Sequence, residues 1–140
     1  MCDVRPFCGL RYNLQQVPDP SVVITPPYDV ISQEERRAYY RKSPYNVIRL
    51  EYGEEQPGDS TNNNKYTRAA AILDTWLKEE ILVREEQPAF YVVEHRFHFQ
   101  DTTKSRLGLL ARVRLEELNN QGNIRPHEKT TKEPAVDRLN

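Results

Sequence analysis

The sequence predicts an α+β fold: a mixed sheet that includes an antiparallel hairpin (about 89–115), with two main helices (about 32–42 and 65–80). Three observations carry this expectation. Apolar residues alternate over two stretches, Ala89, Tyr91, Val93, His95, Phe97 and Phe99, then Leu107, Leu109, Ala111, Val113 and Leu115, which is the period of strands. Tyr66, Ala69, Ala70, Leu73, Trp76 and Leu77 recur at helical spacing and make one apolar face. Ser32-Gln33-Glu34-Glu35 fits a capping box, with Glu35 reaching back to Ser32.

Arg5 to Tyr12 reads as a first strand, with Pro6 near its start, where a missing N–H is tolerated. Pro18, Pro20, Pro26 and Pro27 then keep the chain extended up to Tyr28-Asp29, because a proline disfavours helix in the residue before it. The helix that starts at Ser32 has a weak stripe (Ala38, Tyr39, Tyr40), so a surface position is expected, and Pro44 ends it. Asn46 to Glu51 has strand character, and residues 53–64 (GEEQPGDSTNNN) read as a flexible loop, long for a compact domain. The next helix starts near Lys65, with Asn62 to Asn64 as possible caps, and its Trp76 reads as a core residue rather than a stacking platform.

Asp101 to Lys104 would then connect the hairpin. Placing both apolar sets on one side opposes Phe99 to Leu107 and Glu94 to Arg112. The other face would carry Glu94, Arg96, His98, Arg106, Arg112 and Arg114, a basic surface that is either solvated or a place for phosphate or an acidic partner. His95 and His98, three apart on a strand, point to opposite faces and make no metal pair. His95 reads as a hydrogen-bonded core histidine.

Composition narrows the function. The chain has 140 residues, 37% of them hydrophobic, and a mean hydropathy of -0.82, which gives one domain with a thin core. No apolar run approaches the roughly 18 residues of a membrane span. Met1 to Arg5 lacks a signal peptide's apolar core, which points to a cytoplasmic protein with no membrane partner. A net charge of -1, from 20 basic and 21 acidic side chains, argues against nucleic acid as a partner. Cys2 and Cys8 match no zinc spacing and read as reduced thiols.

The densest run of chemically useful side chains is Ile124 to Thr131. His127 and Glu128 are a candidate acid or base and a candidate metal ligand. Arg125, Lys129 and Arg138 would neutralise phosphate, and Thr130 and Thr131 offer hydroxyls. The alternative is an ordinary polar surface. No Gly-rich phosphate loop or dinucleotide fingerprint is present. Pro134 suits the first turn of a helix that would run through Leu139 and stop two turns in. The expectation is therefore a single incomplete domain (1–140), the N-terminal fragment of a longer protein.

Several motifs, in order, carry a resemblance: Arg5-Pro6-Phe7; Pro26-Pro27-Tyr28-Asp29-Val30-Ile31; Asn46-Val47-Ile48-Arg49-Leu50; Tyr66 to Ala70 with Trp76-Leu77; Pro88 to Tyr91; and His127-Glu128-Lys129-Thr130 with Asp137-Arg138-Leu139. Together they resemble the N-terminal part of the domain-of-unknown-function family 1015, over essentially the whole chain. Members of that family are usually far longer, and Glu80 stands where relatives tend to have a helix-ending glycine. The family is similar to the ParB and sulfiredoxin-like group, which includes nucleotide-using proteins and kinases of free serine. The resemblance thus implies a phosphoryl transferase acting on a small hydroxyl compound, with Mg²⁺ and ATP or ADP.

On that basis Arg125, His127, Lys129, Thr130 and Arg138 would contact phosphate and Glu128 would hold the metal. Asp29, beside Tyr28 on a rigid Pro-Pro turn, would be the base that orients the acceptor hydroxyl; equally, its carboxylate would only bond its own turn. Two alternatives stand beside this reading: a non-catalytic ParB-like binding module using the basic hairpin face, and an inactive fragment of a longer protein.

Overall fold

The computed structural model describes residues 2–116 and 122–124. The chain forms two compact units: one is Leu10–Arg84, and the other joins the segment ending at Gly9 to the segment beginning at Glu85. The fold is α+β. In place of one mixed sheet, the described strands form three separate two-stranded antiparallel ladders.

In the Leu10–Arg84 unit, β2 (Leu10–Tyr12) pairs with β3 (Leu82–Arg84), Tyr12 opposite Leu82. β1 (Val4–Arg5) belongs to the other unit, so the single strand expected from Arg5 to Tyr12 is two. Between β2 and β3 come a 3-10 turn Pro20–Val22, a second one Tyr28–Val30, and the helices α1 (Gln33–Lys42), α2 (Ile48–Glu51) and α3 (Lys65–Lys78). The capping box at Ser32 is present: Glu35 N–H donates to Ser32 Oγ (3.3 Å) and Ser32 N–H to Glu35 Oε2 (2.8 Å). α1 buries no residue, as its weak stripe predicts. Asn64 caps α3, its Oδ1 accepting from Tyr66 N–H (3.0 Å) and Thr67 N–H (3.1 Å).

The core lies wholly in this unit, since every buried side chain among the described residues falls between Val17 and Leu82. Val17, Val23, Trp76, Ile81 and Leu82 form one cluster, with Tyr12, Tyr45, Leu73 and Leu77 packed on it. Trp76 is 4% exposed, and the Tyr45 ring meets it edge-on at 6.1 Å. The tryptophan is therefore a core residue.

Asn46 to Glu51 is not a strand. Asn46 is wholly buried; its Nδ2 donates to Val22 O (2.8 Å) and its Oδ1 accepts from Ile48 N–H (3.0 Å). Val47 N–H goes to Val23 O (2.8 Å). With these groups engaged by the proline-rich segment, the chain turns into α2, and the β-branched Ile48 fills core space instead of a ladder.

In the second unit, β1 pairs with β6 (Arg112–Val113), Val4 opposite Val113 and Arg5 opposite Arg112. Phe7 bridges Ala89, and Tyr91 packs on Phe7 at 5.0 Å. The Tyr91 hydroxyl accepts from Gly9 N–H (2.7 Å) and donates to Phe7 O (3.2 Å). A Cβ at Gly9 would meet that hydroxyl at 2.8 Å, so any other residue there would push the Tyr91 ring out of this position.

The hairpin forms, but in another register. β4 (Tyr91–Phe99) and β5 (Thr102–Leu110) oppose Phe99 to Thr102 and Glu94 to Leu107. The turn is the two residues Gln100 and Asp101, both left-handed (φ 45° and 35°), in place of the longer loop expected at Asp101 to Lys104. That change of parity sends the two apolar sets to opposite faces. It also breaks up the expected basic face: Arg106 shares a face with His95, 3.2 Å from its Nδ1, and Arg112 lies in β6 against β1. His95 is exposed, so it is not a core histidine. His95 and His98 do lie on opposite faces, as their spacing requires.

α3 ends as the missing glycine implied. Glu80 is left-handed (φ 57°), and Ile81 N–H closes back on Trp76 O (2.9 Å), a Schellman-type stop. Glu80→Gly should stabilise the fold by about 1 kcal/mol, the left-handed penalty of ~1–2 kcal/mol less the entropy gained by the unfolded chain. A urea midpoint that fails to rise would contradict this.

Tyr12 supplies a pH signature. Its hydroxyl donates to Tyr45 O (2.8 Å); burial, with the Glu51 charge adding, pushes its pKa from 10.0 up to about 12. The folded chain keeps a proton there that the unfolded chain releases near its ordinary value. This contribution is complete below pH 10 and declines as pH rises towards 12. Urea midpoints at pH 9 and pH 11 should therefore fall less for Tyr12→Phe than for the wild type, and an equal fall would refute the assignment.

Candidate functional site

Cationic side chains gather where α1, α2, residues 53–56 and the start of α3 meet, around a hollow of about 130 Å³ lined by Tyr40, Arg49, Glu54, Gln56, Lys65 and Arg68 among others. Helical spacing places them. Arg36 and Tyr40 are one turn apart on α1, and Lys65, Arg68 and Ile72 follow i, i+3, i+7 along α3.

Each cation is held. Arg68 grips Asp59 with both nitrogens, Nη1 to Oδ1 at 2.7 Å and Nη2 to Oδ2 at 3.0 Å, and Nη2 also donates to Glu54 O (2.8 Å). The Arg49 guanidinium lies 4.4 Å over the Tyr40 ring, and its Nη2 donates to Tyr40 O (2.8 Å). Arg36 lies 4.6 Å over the Tyr52 ring and reaches Gly53 O at 3.4 Å. The Tyr40 hydroxyl accepts from Glu54 N–H (3.1 Å), which fixes the loop against α1. Lys65 Nζ is 3.5 Å from Glu55 Oε1. Among the described residues no carboxylate pairs with Arg36 or Arg49. The Nε of each is buried with no hydrogen-bond partner.

Residues 53–64, read as a flexible loop, carry much of this arrangement: the Asp59 fork, Gln56 N–H to Asp59 Oδ2 (3.2 Å) and a bridge between Ser60 and Asn63. Arg49 and Arg68 stand in motifs that carry the family resemblance, but the sequence assigned none of the hollow's cations a role. The only signal was the spacing of Arg36 with Tyr40 and of Lys65 with Arg68, since the cation–ring pair of Arg49 with Tyr40 depends on the tertiary fold.

Of the residues expected to act, Asp29 is the one described. It is exposed, in the turn Tyr28–Val30. Its side chain has no hydrogen-bond or ion-pair partner among the described residues, so it does not bond its own turn. Tyr28 meets Tyr52 edge-on at 6.2 Å, and Tyr52 is the ring beneath Arg36. The Pro-Pro-Tyr-Asp element therefore abuts the cationic cluster.

Arg125, His127, Glu128, Lys129, Thr130 and Arg138 lie outside the described residues. The described residues contain no group of three or more His, Cys, Asp or Glu placed to hold a metal ion. Cys2 and Cys8 are free thiols. No helix among the described residues is long and apolar enough to cross a membrane. A second, more open cationic hollow, in the other unit, is lined by Asp3, Arg5, Arg112, Val113 and Arg114.

Fold and site together define an α+β protein whose helical unit holds arginines over tyrosine rings at the edge of a small polar hollow. The family model described as a protein of unknown function (DUF1015) matches residues 4–140, and the chain belongs to that family. No curated protein and no solved structure matches it.

The Asp59–Arg68 pair has a pH consequence. Hydrogen bonding to Arg68 holds the Asp59 carboxyl below its ordinary 3.8, against a partial opposing effect of burial and with the Gln56 amide adding. A lowered folded value means the stabilisation is present above pH 4 and is lost as pH falls through it. Stability below pH 4 should therefore fall more steeply for the wild type than for Asp59→Asn, followed as urea midpoints; parallel curves would show that the pair contributes nothing.

Proposed function

We propose that this DUF1015 protein transfers a phosphoryl group to a small hydroxyl compound such as free serine, with ATP or ADP as donor. The observation that carries the reading is Asp29: an exposed carboxylate without a partner among the described residues, on a turn fixed by Pro26, Pro27 and the Tyr28–Tyr52 contact. The resemblance carried by the sequence motifs, which implies kinship with a group that includes free-serine kinases, favours the same reading.

Phosphoryl transfer depends chiefly on positioning and charge neutralisation. The acceptor oxygen attacks the terminal phosphorus, the bond from phosphorus to the departing nucleotide oxygen breaks, and the acceptor proton passes to Asp29. Arg125, His127, Lys129, Thr130 and Arg138 are assigned to the phosphate, and Glu128 to the metal ion.

The protein expressed from its complete reading frame, given serine, Mg²⁺ and in turn ATP, ADP or pyrophosphate, should yield a phosphoserine resonance in phosphorus NMR. Asp29→Asn should slow its appearance by on the order of 10²-fold or more. A full rate in Asp29→Asn would remove the base assignment. No phosphoester from any donor would overturn the function and leave the binding-module alternative.

A further inference from the structure

We propose that the hollow between α1, α2 and α3 is a binding site for a single phosphate group, with Arg49 as its central cation, Lys65 beside it, and the Arg68–Asp59 pair as part of its wall. The inference stands on geometry alone and does not depend on the phosphoryl-transfer reading.

Charge comes first. Arg49 from α2 and Lys65 and Arg68 from α3 line the hollow, and two nearby carboxylates are taken by two of them: Asp59 is forked by Arg68, and Glu55 meets Lys65. Arg49 lines the hollow without a carboxylate, and both it and Arg36 keep a buried Nε with no partner. A partly buried guanidinium left uncompensated is costly, and an unsatisfied buried donor in a native fold calls for a compensating partner, water or an ion among them. Glu54 also lines the hollow; its main chain anchors Arg68 and Tyr40.

Preorganisation comes second. Arg49 is oriented by the Tyr40 ring beneath it and by its bond to Tyr40 O, and Arg68 by Asp59 and Glu54 O. A ring holds a guanidinium in place without cancelling its charge. Donors fixed before the ligand arrives lose little freedom on binding it, and guanidinium suits phosphate because its donors match two oxygens at once.

Size comes third. At about 130 Å³ the hollow is well below the roughly 300–1,000 Å³ of clefts that enclose drug-sized ligands. It suits one tetrahedral oxyanion, such as inorganic phosphate or the end of a small phosphomonoester, better than a whole nucleotide.

Isothermal titration of the protein with inorganic phosphate, in a phosphate-free buffer at low salt, tests the proposal. Saturable binding is expected, weakened at least tenfold by Arg49→Gln and unchanged by Arg114→Gln in the other cationic hollow. If Arg49→Gln loses its cooperative thermal transition, Lys65→Gln at the first position of α3 carries the test, with a tenfold weakening again expected. Absence of saturable binding, full affinity in the folded Arg49 or Lys65 variant, or equal affinity for acetate would each overturn it. Phosphate binding without phosphoserine formation would leave this site standing and remove the proposed reaction; turnover with no phosphate bound at Arg49 would do the reverse.

Discussion

The helical unit hangs on one side-chain amide. Asn46 is wholly buried and spends both ends of its carboxamide on the main chain, holding the carbonyl of Val22 and the amide of Ile48. A buried amide left without partners costs about 1–3 kcal/mol per group, so the proline-rich segment and the start of α2 fix each other. That constraint puts Ile48 into the core and carries Arg49, the next residue, to the edge of the hollow. The proline turns do not merely precede the helices; they determine where α2 begins.

The arginines of this unit are stabilised in two different ways. Arg68 is neutralised by Asp59, whereas Arg36 and Arg49 rest on Tyr52 and Tyr40. Carboxylate pairing discharges a guanidinium, while an aromatic face steadies it and leaves the positive field intact. The tyrosines of α1 and of the segment after α2 thus do more than fill space. They allow a region with one strong ion pair to keep cationic character around it.

What the sequence made legible is what local chemistry decides. The capping box at Ser32, the capping Asn64 and the apolar face of α3 all depend on residues within a few positions of each other, and the structure has them where the spacing puts them. The left-handed Glu80 was foreshadowed by comparison with a glycine in related chains. The hairpin register was not legible, because Gln100-Asp101 contains no glycine to mark a two-residue turn, and a shift of parity costs nothing in local pattern. Asn46 to Leu50 misled through β-branched residues whose burial is tertiary. The hollow was hidden for a similar reason: its members are spread from Tyr40 to Ile72, and only folding brings them together. Of the candidate site read from the sequence, Asp29 falls among the described residues and the 125–138 cluster does not.

The placement of the core has a consequence for how the protein's stability is read. The chain has one tryptophan, and it is buried in the Leu10–Arg84 unit, whereas the hairpin of the other unit has no buried side chain and holds Val92, Leu107 and Leu109 each more than 60% exposed. Intrinsic tryptophan emission therefore registers the melting of one unit and is blind to the opening of the β4–β5 ribbon. Amide hydrogen exchange would register both, with the ribbon's amides exchanging through inexpensive local openings while those around Trp76 wait for the whole unit to unfold. A single transition seen in fluorescence is thus no evidence that the chain unfolds as a single cooperative body.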